Sequence, residues 1–410
     1  MIAYSGELSQ FGFRDAVPNP ARLIFCLSAN PILLPDFLLA SLSNLFNLYF
    51  MKTVFFVVLC SICFPGAAQK PVRVALAGLS HGHVGWIFNR PDKKDVQLVG
   101  IYETNPELVA RFIDKYKLDK SLFFTDLDKM LVQVKPDAVS AFGAISEHIS
   151  VVRACAPRKI HVMVEKPLAT TLADANEMQT LAGQHGIQVL TNFETSWYAS
   201  NQHVNTLVEQ GKLGDIRKVM VNDGHEGPKE IGVSNEFFAI LTDPAKNGAG
   251  ALMDFGCYGA NLMTWLMKGK RPTSVTAITH QNKPAIYSRV DDEATIVLQY
   301  PQAQCIIQGS WNWSFARKDM EVYGNKGYAI AVNPTTIRQR LDKKSPEETI
   351  KIDPRPAPFT DPFSVLAEVV SGRMQLDRND LYGLPVNVTV VEILTAAQES
   401  ARLGKTVLLP

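Results

Sequence analysis

The chain has 410 residues, 46% hydrophobic and 20% charged, with a formal net charge of +1. That length holds two or three domains, the apolar content excludes a mainly disordered chain, and the balanced charge gives no reason to expect nucleic acid or an anionic membrane surface as partner. The six cysteines (Cys26, Cys60, Cys63, Cys155, Cys257, Cys305) show neither a zinc spacing nor a dense disulfide framework.

Residues 51–69 read MKTVFFVVLCSICFPGAAQ. Lys52 supplies a positive start, 54–64 is an eleven-residue apolar stretch too short to span a bilayer comfortably, and Gly66-Ala67-Ala68 offers small residues for cleavage. Residues 51–68 therefore read as a secretory signal peptide, without a twin arginine or a lipobox cysteine, which points to export, into a periplasm. Residues 1–50 sit awkwardly upstream of such a signal and are expected to be an artefact of start assignment, with Met51 the true start. The alternative is a real extension that turns 31–64 into a membrane anchor. The mature chain would have no stable membrane span and would keep only Cys155, Cys257 and Cys305, a set that argues against a disulfide network.

Val72–Ala77 is expected to be a strand, running into Gly78-Leu79-Ser80-His81-Gly82-His83 and then a helix. Val96–Tyr102 is the second strand. Asn105-Pro106 opens a helix, asparagine as N-cap and proline in the first turn, with Leu108, Val109, Phe112, Ile113 and Tyr116 at helical spacing. A strand at 122–125, a helix at 126–134, a strand at 138–142 and a helix near 147–155 follow. The next strand, 161–164, ends in Glu165-Lys166-Pro167; a helix at 171–185 and a strand at 187–190 complete the series. This alternation predicts a Rossmann-type, doubly wound parallel sheet over 71–193, with ligands outside the carboxyl ends of the strands.

Beyond 194 the rhythm changes. A strand at 216–221 and an amphipathic helix at 252–267 precede strands at 274–279, 293–300, 304–311, 319–323, 328–332 and 349–352; a helix at 386–403 closes the chain. Residues 194–410 thus read as an α+β substrate-binding and oligomerisation domain, its largely antiparallel sheet covered by helices on one face. An open apolar face predicts a homo-oligomer.

The turn after the first strand admits two chemistries. Gly78-Leu79-Ser80-His81-Gly82 matches G-x-S-x-G, which would make Ser80 a nucleophile. Such an elbow normally follows several strands, and no clear serine–acid–histidine set follows here, although His81 and His148 leave room for one. The other reading is a dinucleotide fingerprint with Gly78, Ser80 and His83 at the three glycine positions and Gly82 in the turn. Glu103 follows Gly78 by 25 residues at the end of the second strand. A carboxylate there can bond a ribose 2′-hydroxyl and would repel a 2′-phosphate, favouring NAD over NADP. The pyrophosphate would lie on the amides opening the helix at His81–His83. No third histidine or carboxylate accompanies His81 and His83, so no metal is expected.

Asp254, Tyr258 and Asn261 share one helical face, an unusual polar face for plain core; the alternative is a dipole-stabilising carboxylate beside a packed tyrosine. His225 and Glu226 could line a sugar site from a loop. Trp311, Asn312 and Trp313 could stack on a pyranose, although strand-end aromatics are more often core.

Glu165-Lys166-Pro167 resembles the E-K-P signature of the Gfo/Idh/MocA oxidoreductases, the family of glucose–fructose oxidoreductase and inositol dehydrogenase; the resemblance runs from about 71 to 410. Lys135-Pro136-Asp137-Ala138-Val139 is similar to the family's fourth strand. His148 falls where many members carry the histidine of P-N-x-x-H, with Ala144 and Ile145 in place of Pro-Asn. GAGALMDFGCY at 248–258 resembles the family's G-G-G-x-L-x-D-x-G-x-H, Tyr258 standing for the histidine, and 321–327 and 392–406 are also similar.

The resemblance implies oxidation of a secondary hydroxyl on a sugar, polyol or related carbohydrate with NAD. It implies Lys166 and Tyr258 as acid/base and oxygen-positioning groups, with Asp254 orienting the substrate, and Glu165, Lys166 and His148 at the cofactor. Which of Lys166 and Tyr258 is the base stays open; a nearby oxidised nicotinamide would depress a lysine pKa. Free NAD is scarce outside the cytoplasm, so a tightly held, recycled cofactor could support NAD-assisted glycoside cleavage, as hydrolase or lyase. A serine hydrolase using Ser80 and a non-catalytic carbohydrate-binding relic are the remaining readings.

Overall fold

The computed structural model describes residues 70–90 and 94–409. The expected signal peptide at 51–68 and the 1–50 extension lie outside the described residues. Six parallel strands form the first sheet: β1 (Val72–Ala77), β2 (Val96–Tyr102), β3 (Phe123–Phe124), β4 (Ala138–Ala141), β5 (His161–Glu165) and β6 (Val189–Asn192), in the order β3-β2-β1-β4-β5-β6. The order reverses between β1 and β4, which opens a crevice at their carboxyl ends. Both faces are covered: Val72, Val74 and Leu76 of β1 enter one apolar core, Ala75 and Ala77 the other. Helices Pro106–Tyr116, Leu127–Val134 and Leu172–His185 start on side-chain caps from Asn105, Asp126 and Thr171.

The second sheet has nine strands: β7 (Ile216–Gly224), β8 (Ser274–His280), β9 (Glu293–Gln299), β10 (Gln304–Ser310), β11 (Arg317–Gly324), β12 (Tyr328–Asn333), β13 (Thr336–Arg340), β14 (Glu348–Lys351) and β15 (Val407–Leu408). Their order is β14-β13-β12-β11-β7-β10-β9-β8-β15, antiparallel except between β7 and β10. Helix Gly256–Leu266 packs on β7 and β10, while Leu384–Leu403 packs on β8 and also on Leu172–His185 beside the first sheet. Among the described residues no helix is long and apolar enough to cross a membrane.

The fold class is as the sequence implied, with local differences. The single helix expected at 252–267 is two, Ala251–Asp254 and Gly256–Leu266, joined at Phe255. Tyr258 N bonds back to Phe255 O, so the Asp254 carbonyl loses the helical partner four residues on. Strands β13 and β15 and the helices Asn235–Leu241 and Pro362–Val370 were not anticipated. β7 runs on to Gly224, which carries Asn222 and Asp223 inward.

Candidate functional site

Lys166 follows β5 directly and reaches across to the broken helix. Its Nζ donates to Asp254 Oδ1 at 2.5 Å and to the freed Asp254 carbonyl at 2.9 Å. Trp311 Nε1 holds the other carboxylate oxygen at 2.9 Å. Lys166 also stands 5.1 Å from the centre of the Tyr258 ring. All four side chains are buried. Burial is the largest single effect and opposes both charges of the pair, yet the partner's charge, the hydrogen bonds and the neighbouring charges together outweigh it: Asp254 is held well below the carboxylate range and Lys166 well above the ordinary lysine value. In the free protein Lys166 is an ammonium. Burial, then the charge of Glu194, pushes the Tyr258 phenol far up.

Lys166, Asp254 and Tyr258, separate in sequence, thus meet as expected. The structure corrects two neighbours. Trp311 is fully buried as the clamp on Asp254 and is no open platform for a sugar. Asn261 donates to the Leu381 carbonyl and Asn387, so its polarity serves the fold. His225 stands edge-on to Phe255 at 5.0 Å and within the field of Asp254 and Lys166; burial lowers its pKa. Glu226 is exposed, its carbonyl taken by Lys283.

Glu165 faces the other way. Its Oε2 accepts from His83 Nδ1 at 3.0 Å and lies 3.7 Å from His81 Nε2; its Oε1 accepts from Asn192 Nδ2 at 2.7 Å. Burial would raise its pKa, but the two imidazoles and these bonds hold it down, at about 2. Burial keeps His81 neutral, its pKa lowered to about 3 despite Glu165. The expectation that no carboxylate accompanies His81 and His83 is therefore corrected: β5 brings Glu165 to them from 82 residues away. His81 Nδ1 accepts from His83 N at 3.2 Å and caps the turn.

A cavity of about 550 Å³ opens at the β1/β4 crevice, lined by Gly78, Ser80, Glu103, Asn105, Gly143 and His148, with Glu236, Ile240 and Lys246 on the far wall. The size suits an extended small ligand. Gly78 has φ +87°, and a Cβ there would lie 2.6 Å from Gly143 N, so this wall requires glycine. Glu103 accepts from Leu79 N and Asn105 N at 2.9 Å each, which leaves each oxygen a lone pair beside the cavity. His148 Nδ1 donates to the Leu168 carbonyl at 3.1 Å, while its buried Nε2 is unpartnered among the described residues. A glycine cradle, a carboxylate and an orphaned ring nitrogen fit a dinucleotide, which Gly78, Ser80, Glu103 and His148 would hold. His81, Gly82, His83, Glu165 and Lys166 lie outside the lining. The helix opening there is short, a 3-10 turn at Gly82–Val84 and then Gly85–Phe88. Ser80 Oγ makes no hydrogen bond to a histidine among the described residues, which removes the geometric basis of a nucleophile elbow.

Sequence reasoning missed Glu194 and Lys318. Lys318 pairs with Glu194 and stands 5.0 Å from the Tyr258 ring. It also missed Asp223, opposite Lys318 in register, buried with both carboxylate oxygens unpartnered among the described residues. Glu194 lies just past the carboxyl end of β6, a position that strand-end logic could have flagged. Lys318 and Asp223 meet only through strand register, which the sequence does not display.

Two family models match the chain: "Oxidoreductase family, NAD-binding Rossmann fold" over residues 72–193 and "GFO/IDH/MocA C-terminal domain" over 201–330, together more than half of it. The chain is 24% identical over 289 residues to a trans-1,2-dihydrobenzene-1,2-diol dehydrogenase of Bos taurus, covering 69% of this chain and 80% of that protein. It is 23% identical over 322 residues to a scyllo-inositol 2-dehydrogenase (NADP(+)) of Bacillus subtilis, covering 75% and 91%. In structure it resembles an inositol dehydrogenase homolog of Azotobacter vinelandii solved with NAD+ (TM-score 0.72, 18% identity, 84% of this chain and 98% of that one). It also resembles an aldose-aldose oxidoreductase of Caulobacter crescentus solved with glycerol (TM-score 0.70, 22% identity, 83% and 100%).

Proposed function

The chain belongs to the Gfo/Idh/MocA family of oxidoreductases, and from that premise we propose that it oxidises a secondary hydroxyl of a sugar or polyol with NAD. The buried Lys166–Asp254 pair at the carboxyl end of β5 carries this reading. A fixed ammonium of this kind donates a hydrogen bond to a carbinol or carbonyl oxygen, stabilising the charge that oxygen gains as the reaction proceeds. Asp254, locked by Trp311, fixes where that ammonium points. Lys318, Glu194 and His225 add donors and acceptors of the kind vicinal hydroxyls need. A bound oxidised nicotinamide supplies the hydride acceptor. Glu103 at the cavity supports NAD over NADP, because its carboxylate would meet a 2′-phosphate. Incubation with NAD and a panel of aldoses and cyclitols tests the reading: nicotinamide reduction is expected with NAD and at least tenfold less with NADP, and none with either would remove it.

A second reading, the recycled cofactor of an NAD-assisted glycoside hydrolase or lyase, is favoured by one observation. The far wall of the cavity comes from the Asn235–Leu241 helix and Lys246, and Glu236 of that helix accepts from Arg111 of the first lobe at 2.9 Å. A dinucleotide behind this wall is retained between turnovers. Sugar release without accumulating NADH distinguishes this variant from net oxidation. Export fits a retained cofactor; the leader-like residues 51–68 support it, and fractionation that finds the protein only in the cytoplasm would remove it.

A further inference from the structure

A pyrophosphate in a doubly wound fold ordinarily rests on free amides of the first turn and on the start of the helix behind it. Here little of either remains. Gly78 N donates to Tyr102 O, His81 N to Phe142 O, Leu79 N to Glu103 Oε2 and His83 N to His81 Nδ1. In the turn 78–83, only the amides of Ser80 and Gly82 are without a partner among the described residues. The helix behind the turn is the four-residue Gly85–Phe88, too few aligned peptides for a strong dipole.

The charge of the wall works against the ligand as well. Glu103, Glu147 and Glu236 all line the cavity. Arg111 offsets Glu236, whereas Glu103 and Glu147 are met by backbone amides, which carry no net charge. Each phosphate of a dinucleotide brings one more negative charge into this field.

Among the described residues one cation lines the cavity, Lys246. It comes from the second lobe, on the short helix Pro244–Asn247, which the Asp243 side chain caps at Ala245 N, 3.1 Å away. Asn247 beside it is buried and donates to the Ala249 carbonyl at 2.7 Å, so the segment is anchored on both sides of the lysine. The Lys246 side chain is exposed and has no ion-pair or hydrogen-bond partner among the described residues. Its helix packs on the turn Ile145–Glu147 just past β4. Glu103 lies just past β2. In the order β2-β1-β4 the two ends are two strands apart, about 10 Å. Lys246 therefore belongs to the β1/β4 side of the crevice, facing the turn at Gly78, and not to the ribose carboxylate.

We propose that Lys246 is the cofactor-holding cation of this protein: its ammonium pairs with the dinucleotide pyrophosphate across the crevice and supplies what the occupied turn 78–83 does not. The proposal rests on the dinucleotide reading of the cavity. Because the lysine and the turn belong to different lobes, the pair closes the crevice over the ligand, and release has to break it.

Calorimetry on Lys246→Gln, an exposed position whose change should leave the unfolding midpoint in place, tests this. NAD and ADP-ribose should each bind about tenfold more weakly than to the wild type, while adenosine, which has no phosphate, stays within about twofold. Raising the salt concentration should weaken NAD binding to the wild type and barely move it in the variant. NAD should leave the variant about tenfold faster in stopped-flow fluorescence. Lys246→Arg should keep NAD affinity within about threefold. Unchanged NAD affinity in Lys246→Gln, or an equal loss for adenosine, would overturn the proposal. So would a loss confined to NADP, which would place the lysine at a 2′-phosphate. A wild type that takes up neither NAD nor ADP-ribose brings down the dinucleotide reading and the proposal with it, a result distinct from a wild type that binds and a variant that binds equally well.

Discussion

Glu165 and Lys166 are consecutive, yet their side chains are tied to different lobes. Glu165 is bound to His83 and Asn192 of the parallel-sheet lobe, Lys166 to Asp254 beside the antiparallel sheet. Both groups are buried and ionised, but their spare capacity differs. On the lysine side, two of the three ammonium hydrogens go to Asp254, whose other carboxylate oxygen is held by Trp311, which leaves one donor free. The glutamate side ends in an imidazole nitrogen with no partner among the described residues. One strand end thus anchors a fixed carboxylate on the parallel sheet and a fixed ammonium on the antiparallel one.

The largest effect that can break this contrast is at Lys166. Lys166→Ala should lower kcat by about 10³-fold or more while dinucleotide binding, read by calorimetry, persists. It also leaves Asp254 buried and unpaired, at a cost of about 3–5 kcal/mol in urea unfolding. Adding Asp254→Asn should restore much of the stability and none of the turnover; recovered turnover would show that the pair only holds the lobes together.

Next in size is acid sensitivity on the imidazole side. His81 and His148 have folded pKa values lowered by burial to about 3 and about 4. These lie below the unfolded value, so the unfolded chain takes up protons that the fold refuses. Stability is therefore intact above about pH 6.5 and lost as pH falls toward the folded values. Between pH 7 and 5 the two should remove about 4 kcal/mol. His148→Gln should halve the loss, and an unchanged unfolding midpoint across this range would contradict the burial of neutral rings.

Gly78→Ala probes the cavity wall, where φ is +87° and the added Cβ would meet Gly143 N. It should cost about 1–3 kcal/mol and weaken dinucleotide binding; a neutral thermal midpoint would mean the wall is looser than described. The smallest effect belongs to Arg111→Ala, which removes an exposed ion pair to Glu236. Dinucleotide release, followed by stopped-flow fluorescence, should quicken about threefold, in line with the modest strength of such pairs.

The parallel sheet was legible in the sequence because its strands are short apolar runs punctuated by capped helices, as at Asn105-Pro106. Lys166, Asp254 and Tyr258 were legible through family-like motifs. The break at Phe255 was not, since Gly256–Leu266 has the same apolar periodicity as an unbroken helix, and the break is what frees the carbonyl that Lys166 takes. The meeting of Glu165 with His83 was equally hidden, because it depends on β1 and β5 both ending at one edge, two strands apart.

Native mass spectrometry of the isolated protein tests the central claim most directly. One NAD per chain, displaced by no more than a trace of NADP and reduced when a sugar or cyclitol is added, is the expected result. A chain that carries no dinucleotide, and takes none up at millimolar NAD, would contradict the account.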